Sequence, residues 1–443
     1  MQFNSITFLF MFLPVFLAVY YIAPAKIKNT VLLLSSILFY GIGIGWQVLP
    51  MSLLLGITLI TYFAGRALGK PNLRIVFWIA IVAMAMVLAF FKCYAGGKYL
   101  PAGMSFYLFQ IAAYLICVYR GTLKPESDIV SYSTEILMFP KVLSGPLMDP
   151  GAIACQTHVR KLDLINFHKG LQQLILGLGL KVIIANRIGG LWSQASVVGY
   201  ESISPVFAWM CLLAYAMKLY FDFFGYSVMA MGLGRMMGFS LPENFNDPYV
   251  SKSVSEFYRR WHITLGSWFR EYIYIPLGGN RKGLGRTIVN LLIVWALTGI
   301  WHGIGGNYLL WAGIIAVFIV LERVLIGRWL KKSYVLCHIY TVFIILLSWV
   351  PFAISDWDQM GIYFGRLFGT CGQTINPTDY VYWFKEYAIM LICGVVLMTP
   401  LPRFVWKKIE DSWFADVICF VLFWVSVYFI STAAQDPFMY FQY

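Results

Sequence analysis

The sequence predicts an all-α protein that crosses a membrane many times. Of its 443 residues, 60% are hydrophobic and 12% are charged, whereas a soluble domain carries roughly 25% charged residues. The mean hydropathy is +0.73, and apolar runs of the length that spans a bilayer recur along the whole chain. The net charge of +13 is typical of basic cytoplasmic loops, so it does not indicate nucleic-acid binding.

About twelve apolar runs, within a range of about 11–13, are expected to form transmembrane helices, since a span needs about 20 apolar residues. The predicted runs are 6–23, 29–46, 48–65, 75–92, 103–119, 171–193, 205–221, 287–305, 308–326, 334–354, 382–401 and 413–432. No basic segment precedes the first run, so we interpret it as a retained span and not as a cleaved signal peptide.

Basic residues mark alternate loops between these runs. Lys26 and Lys28 follow the first run, Arg66 follows the third, and Glu201 and Asp379 lie in loops of the opposite set. Because Lys and Arg concentrate on the cytoplasmic side, both termini are expected on the extracytoplasmic side. We find neither an internal repeat nor a long linker, which favours one membrane domain over residues 1–443.

Two stretches do not fit simple spans. Residues 133–150 are apolar but broken by Pro140, Gly145 and Pro146, which predicts a re-entrant or interfacial segment. Irregular backbone at membrane depth is tolerated only inside protein or beside a water-filled cavity, so we expect a cavity reached from the cytoplasm.

The second stretch covers residues 242–286. Ser253 and Glu256 have the spacing of a capping box, which predicts a helix that ends before Pro276. Its expected apolar face consists of Trp261, Leu265, Trp268 and Tyr272.

Two histidines are the candidate catalytic residues. His302 lies inside an apolar run, where a titratable side chain is usually functional. With an ordinary pKa near 6.5 it suits a general base; the alternative is a structural histidine that joins two helices. His262 is the second candidate. Neither has cysteines or carboxylates at ligand spacing, so no metal site is predicted.

A cluster of cationic side chains surrounds His262 in sequence. It favours either phosphate binding by arginine forks or contact with anionic lipids. The cluster comprises Arg259, Arg260, Arg270, Arg281, Lys282 and Arg286.

Two other residues, Asp222 and Tyr440, each allow two interpretations. Asp222 ends the seventh run and needs a partner, either in a structural ion pair or in a site. Tyr440, in the aromatic tail 436–443, is either an interface anchor or a phenol that transiently carries an acyl group.

The chain resembles the membrane-bound O-acyltransferase superfamily, and within it the bacterial alginate O-acetyltransferase branch. The resemblance rests on several short motifs. They are Gly103-Met104-Ser105-Phe106-Tyr107, Tyr220-Phe221-Asp222-Phe223, Pro242-Glu243-Asn244-Phe245-Asn246, Arg259-Arg260-Trp261-His262, Tyr274-Ile275-Pro276-Leu277-Gly278-Gly279-Asn280-Arg281, Trp301-His302-Gly303 and Pro437-Phe438-Met439-Tyr440-Phe441.

This resemblance implies helices around a central funnel, with a catalytic core at about residues 100–320. It places His302 as the principal catalytic residue and His262 as its partner, with Asp222 and Asn280 as polar residues of the funnel. It also implies a bacterial cytoplasmic (inner) membrane protein.

The resemblance further implies an acyl thioester donor, acetyl-CoA or an acyl carrier protein, that acts as a substrate and not as a tightly bound cofactor. Tyr440 would carry the acyl group to an extracellular SGNH-type acetyltransferase that modifies a polysaccharide. Three alternatives stay open: D-alanyl transfer to teichoic acid from a carrier-protein thioester, acylation of a lipid or protein, and a proton-coupled secondary transporter.

Overall fold

The structure is a computed structural model that describes residues 1–70, 73–97, 99–330 and 333–432. Throughout these ranges the chain is helical, apart from loops and an isolated antiparallel bridge between Phe245 and Trp261. The predicted all-α class is therefore confirmed. The tail 436–443, with Tyr440, lies outside the described residues.

Ten helices in the described ranges are long and apolar enough to cross a membrane. They are Ala25–Gly43, Val48–Leu68, Ile75–Cys93, Leu164–Val198, Pro205–Met236, Gly283–His302, Gly306–Ile326, Tyr334–Ala353, Asp379–Leu397 and Trp413–Thr432. The other two predicted runs form the shorter apolar helices Phe8–Ile22 and Met104–Arg120. The multi-pass architecture is confirmed.

The described chain divides into two compact units. The first contains Met1–Leu178, Gly225–Glu243 and the chain from Cys419 onward, and the second contains Gly179–Phe224 and Asn244–Ile418. Short helices complete each unit. The first has Ile129–Leu137, Phe139–Val142 and Pro150–His158, and the second has Val254–Arg260, Ile263–Phe269, Trp357–Leu367 and Leu401–Ile409.

Glycines allow two helical segments of the first unit to pack backbone against backbone. A Cβ built on Gly170 would lie 2.6 Å from the carbonyl oxygen of Gly232, and one on Gly177 would lie 2.6 Å from that of Gly225. Each segment thus presents two glycines seven residues apart, in antiparallel order. Small residues permit such close approach of membrane helices, where packing drives association.

The predicted irregular segment 133–150 is broken and buried within the first unit. Asp128 caps the helix Ile129–Leu137 by accepting hydrogen bonds from the backbone N–H groups of Val130 and Ser131. Two charged side chains that the sequence analysis did not single out, Glu135 and Lys141, are buried here.

The prediction of one continuous helix between Ser253 and Pro276 is wrong, although Ser253 does cap the first helix as predicted. The Ser253 hydroxyl accepts a hydrogen bond from the Glu256 N–H at 3.0 Å. The helix stops at Arg260, however, and a second helix, Ile263–Phe269, starts three residues later. The reason is the bridge to Phe245, which holds Trp261 extended, followed by His262 with φ +47°.

The predicted end of the seventh span at residue 221 is also wrong. The helix Pro205–Met236 continues through Asp222, which is buried. Lys181, in the same unit, forms an ion pair with the Asp222 carboxylate. A carboxylate that has a cationic partner can remain inside a buried helix, and the partner is a lysine that sequence reasoning did not identify.

Candidate active site

His262 is the first residue of the candidate site, in the second unit. It lies between the helices Val254–Arg260 and Ile263–Phe269, and only 4% of its surface is exposed. Its Nδ1 lies 3.3 Å from the side-chain oxygen of Asn244. The ring of Phe223 meets the imidazole edge to face, with the ring centroids 4.6 Å apart.

The backbone around His262 is fixed by the segment that follows Glu243. The Ile263 N–H donates to the Asn244 carbonyl oxygen at 2.9 Å. The Asn244 side-chain oxygen also accepts hydrogen bonds from the Thr264 hydroxyl at 2.6 Å and the Thr264 N–H at 3.3 Å. The backbone and side-chain oxygens of Asn244 therefore hold His262 and the two residues that follow it.

Burial lowers the pKa of His262 to about 3. His262 lies outside the ten candidate spans, but its surroundings disfavour the charged imidazolium, because desolvation penalises charge. At neutral pH the ring is accordingly neutral, with one nitrogen able to donate and the other to accept.

His302 ends the helix Gly283–His302 and is 5% exposed. Three aromatic rings lie against its imidazole. Their centroids are 4.6 Å away for Trp301, 4.9 Å for Trp311 and 5.2 Å for Phe352. An imidazole among such rings is shielded from water and can act on a substrate with little competition from solvent.

Trp301 joins the two histidines. Its ring centroid lies 6.3 Å from that of His262 and 4.6 Å from that of His302. The structure thus brings the two predicted catalytic histidines, which are far apart in sequence, to a single indole. Two buried imidazoles at one aromatic site can accept and return protons during a group transfer.

The predicted cationic cluster does not act as one set. Five of its six side chains are exposed, namely Arg259, Arg270, Arg281, Lys282 and Arg286. Arg260, by contrast, pairs with Glu256 at 2.9 Å and donates to the Asn246 carbonyl oxygen at 3.1 Å. Arg260 therefore supports the fold around His262, and the other five side chains are accessible to an anion.

The loop between these cationic residues depends on glycine. Gly278 has φ +105° and Gly279 has φ +56°, a region that glycine enters without steric cost. The buried side chain of Asn290 donates to the carbonyl oxygens of Leu277 and Gly279, at 3.3 and 2.9 Å. Asn280, predicted as a polar site residue, is exposed on this loop.

Sequence reasoning did not assign roles to Asn244, Thr264, Asn290 or Trp311. The signal for Asn244 was present, since the quoted Pro242-Glu243-Asn244 motif contains it, but no periodicity links that motif to His262. Among the described residues, no three His, Cys, Asp or Glu side chains are grouped so that they could hold a metal ion.

Comparisons with known proteins bear on this site. The family model described as the membrane-bound O-acyltransferase family matches residues 72–350, a range that contains both histidines. The chain is 34% identical to the probable alginate O-acetylase AlgI of Pseudomonas fluorescens, over 83% of this chain and 76% of that protein. It is 27% identical to a peptidoglycan O-acetyltransferase of Helicobacter pylori, over 100% of this chain and 97% of that protein.

A more distant relative is a teichoic acid D-alanyltransferase of Bacillus subtilis, which is 27% identical over 52% of this chain and 60% of that protein. The resemblance drawn from the motifs is confirmed by the family match and by the alginate O-acetylase relatives.

Proposed function

The chain belongs to the membrane-bound O-acyltransferase family and is a multi-pass membrane O-acyltransferase, and from this premise we propose that it moves acetyl from cytoplasmic acetyl-CoA to an extracellular polysaccharide. The observation that carries the proposal is the pair of buried histidines at Trp301. It lies within the family match, in a chain whose relatives are named as O-acetylases of alginate and peptidoglycan.

An acetyl donor is favoured over D-alanyl by the extent of similarity. The O-acetylating relatives match 83% and 100% of this chain, whereas the D-alanyltransferase matches 52%. The exposed side chains Arg259, Arg270, Arg281 and Lys282 are candidates for the phosphates of CoA, since cationic side chains recognise phosphate oxygens. In the proposed orientation, the segment 242–286 that contains these side chains lies on the cytoplasmic side.

In the proposed reaction, His302 takes the proton of an acceptor hydroxyl as its oxygen attacks the thioester carbonyl carbon. The C–S bond then breaks, and the imidazolium returns its proton to the leaving thiolate, which gives an acetyl ester and CoA thiol. His262, neutral and held by Asn244, is the partner that orients the reacting groups by hydrogen bonding. General-base assistance of this kind contributes about 10²–10⁴-fold.

For the outward step we propose that Tyr440 receives the acetyl group and passes it to an extracellular SGNH-type acetyltransferase. The support is the aromatic tail and the expected extracytoplasmic position of the C-terminus. The family match favours an acyltransferase over the proton-coupled transporter considered as an alternative.

The first test measures acetyl transfer from radiolabelled acetyl-CoA by the purified full chain in detergent. His302→Gln is expected to lower turnover by about 10²–10⁴-fold, the contribution of a general base, with normal membrane expression. The matched control is His158→Gln, because the His158 side chain is half exposed and paired with Glu126. Retained turnover in His302→Gln would contradict the assignment.

The same preparation tests the relay and the donor. Intact mass of the C-terminal peptide is expected to show acetyl on Tyr440 in the parent chain and none in His302→Gln. Tyr440→Phe is expected to stop extracellular acetylation while the protein still folds. Label transferred only from a D-alanyl carrier protein, and never from acetyl-CoA, would support the teichoic acid alternative.

A further inference from the structure

The indole N–H of Trp311 is a buried donor beside His302. Trp311 lies in the helix Gly306–Leu321 and is 2% exposed. Its Nε1 has no hydrogen-bond acceptor among the described residues. A buried tryptophan N–H usually finds a partner within the protein, so this donor needs an explanation other than folding.

The surroundings of Trp311 are aromatic on several sides. Its ring lies 4.9 Å from that of His302 at 86°, 5.2 Å from that of Phe352 and 5.9 Å from that of Trp295. Aromatic carbons are poor acceptors, and N–H contacts to ring faces are weak. Because the two ring centroids are only 4.9 Å apart, a group that reacts at His302 lies close to the indole of Trp311.

A neighbouring tryptophan of the same cluster shows the usual outcome. Trp349 stacks on Trp311 at 6.3 Å and 16°, and it is equally buried. Its N–H donates to the Tyr249 hydroxyl at 3.3 Å. The cluster can therefore supply an acceptor to an indole, and it supplies one to Trp349 but not to Trp311.

We propose that the Trp311 N–H donates a hydrogen bond to the carbonyl oxygen of the acyl thioester, as an oxyanion-stabilising residue. This inference rests on the proposed acyl transfer at His302. When the acceptor oxygen bonds to the thioester carbon, the π pair of the C=O bond moves to the carbonyl oxygen and makes it negative. The pair returns as the C–S bond breaks and the thiolate leaves with the proton held by His302.

A fixed donor in a water-excluded site is most valuable for such developing charge. It needs no reorganisation during the reaction, and it acts where the surroundings screen little. If the substrate supplies the hydrogen-bond acceptor, this also explains why the protein provides none for the Trp311 N–H. Trp311 would then act mainly on the transition state, so its loss should change kcat and leave KM for the donor nearly unchanged.

The test replaces Trp311 in the full chain with 3-benzothienylalanine, which keeps the bicyclic ring and substitutes sulfur for the N–H. Acetyl transfer from acetyl-CoA is measured in detergent as kcat and KM. We expect kcat to fall by about 10²–10³-fold, the range for one oxyanion-hole donor, with KM unchanged. Trp311→Phe provides a second variant without the N–H and should show the same loss.

The matched control places 3-benzothienylalanine at Trp349, whose N–H is engaged by Tyr249, and it should retain the parent kcat. A parent-like kcat for the isostere at 311 overturns the inference, as does an equal loss at 349, because that result reflects packing of the cluster. A parent chain that transfers no acetyl at all overturns the proposed function and this inference together. An active parent chain with a parent-like isostere at 311 overturns the inference alone, so the two failures are distinguishable.

Discussion

The His262 residue adopts a backbone conformation that few non-glycine residues occupy. Its φ is +47°, and such strained positions cost of order 1–3 kcal/mol and cluster at functional sites. The hydrogen bonds from Ile263 and Thr264 to Asn244 offset this cost. At the residue scale, the strain is consistent with a histidine placed for chemistry instead of for packing.

The buried His262 imidazole should make the protein sensitive to acid. Because its folded pKa is lowered to about 3 from 6.5, the unfolded chain binds a proton that the folded chain does not bind between these values. Stability is therefore full above about pH 6.5 and is lost as the pH falls below it, by ~1.4 kcal/mol per pH unit.

This prediction is checked with His262→Asn, since asparagine tolerates positive φ and does not titrate. The fall in Tm between about pH 7.5 and about pH 5 in one detergent should be smaller for the variant than for the parent. An equal fall in both proteins would show that His262 contributes nothing to the acid sensitivity.

At the element scale, the glycine contacts of the first unit should tolerate no side chain. Gly177→Ala places its Cβ 2.6 Å from the Gly225 carbonyl oxygen, so the helices must separate, and overpacking of this kind costs roughly 1–3 kcal/mol. Thermal unfolding in detergent should show a lower Tm.

The control for that substitution is Gly313→Ala, in the helix Gly306–Leu321. A Cβ there meets nothing within 4 Å, and alanine is the better helix former by about 0.5–1 kcal/mol. Its Tm should stay the same or rise. A Gly177→Ala protein as stable as Gly313→Ala would refute the close packing.

The ion pair of Lys181 and Asp222 is a second element-scale feature, since it lies on two long helical segments of the second unit. Asp222→Ala leaves a buried lysine charge uncompensated, and breaking such a pair costs about 3–5 kcal/mol. Lys181→Met with Asp222→Leu removes both charges and should recover much of that loss. The stabilities of the parent and the two variants are compared by the fraction of each protein that stays monodisperse after heating. A double variant less stable than Asp222→Ala would contradict the prediction.

At the scale of the whole molecule, the alternation of basic loops leads to a testable orientation. We propose that both termini face the extracytoplasmic side, because Lys26, Lys28 and Arg66 lie in loops of the basic set. In intact cells, a cysteine placed near residue 2 should react with a membrane-impermeant maleimide. A cysteine at Lys26 should react only after the cells are opened, and the reverse pattern would invert the proposed direction of transfer.

Much of the architecture follows from the sequence alone. Apolar runs of span length predicted the twelve apolar helices found among the described residues, because hydrophobic length is a local property of the chain. The same approach failed at Trp261 and at Asp222. In both places a distant residue, Phe245 or Lys181, overrides the local pattern.

The candidate site shows the same division. Composition, span length and motifs predict a multi-pass O-acyltransferase and single out both histidines. His302 is conspicuous as an ionisable group in an apolar run, and His262 lies in the quoted Arg259-Arg260-Trp261-His262 motif. Folding adds what those patterns do not encode: Asn244 beside His262, Trp301 between the histidines and the ring of Trp311 against that of His302. The contacts of Asn244 and Trp301 with His262 join residues distant in sequence, and the Trp311 contact joins His302 to the helix that follows it, so tertiary packing creates all three.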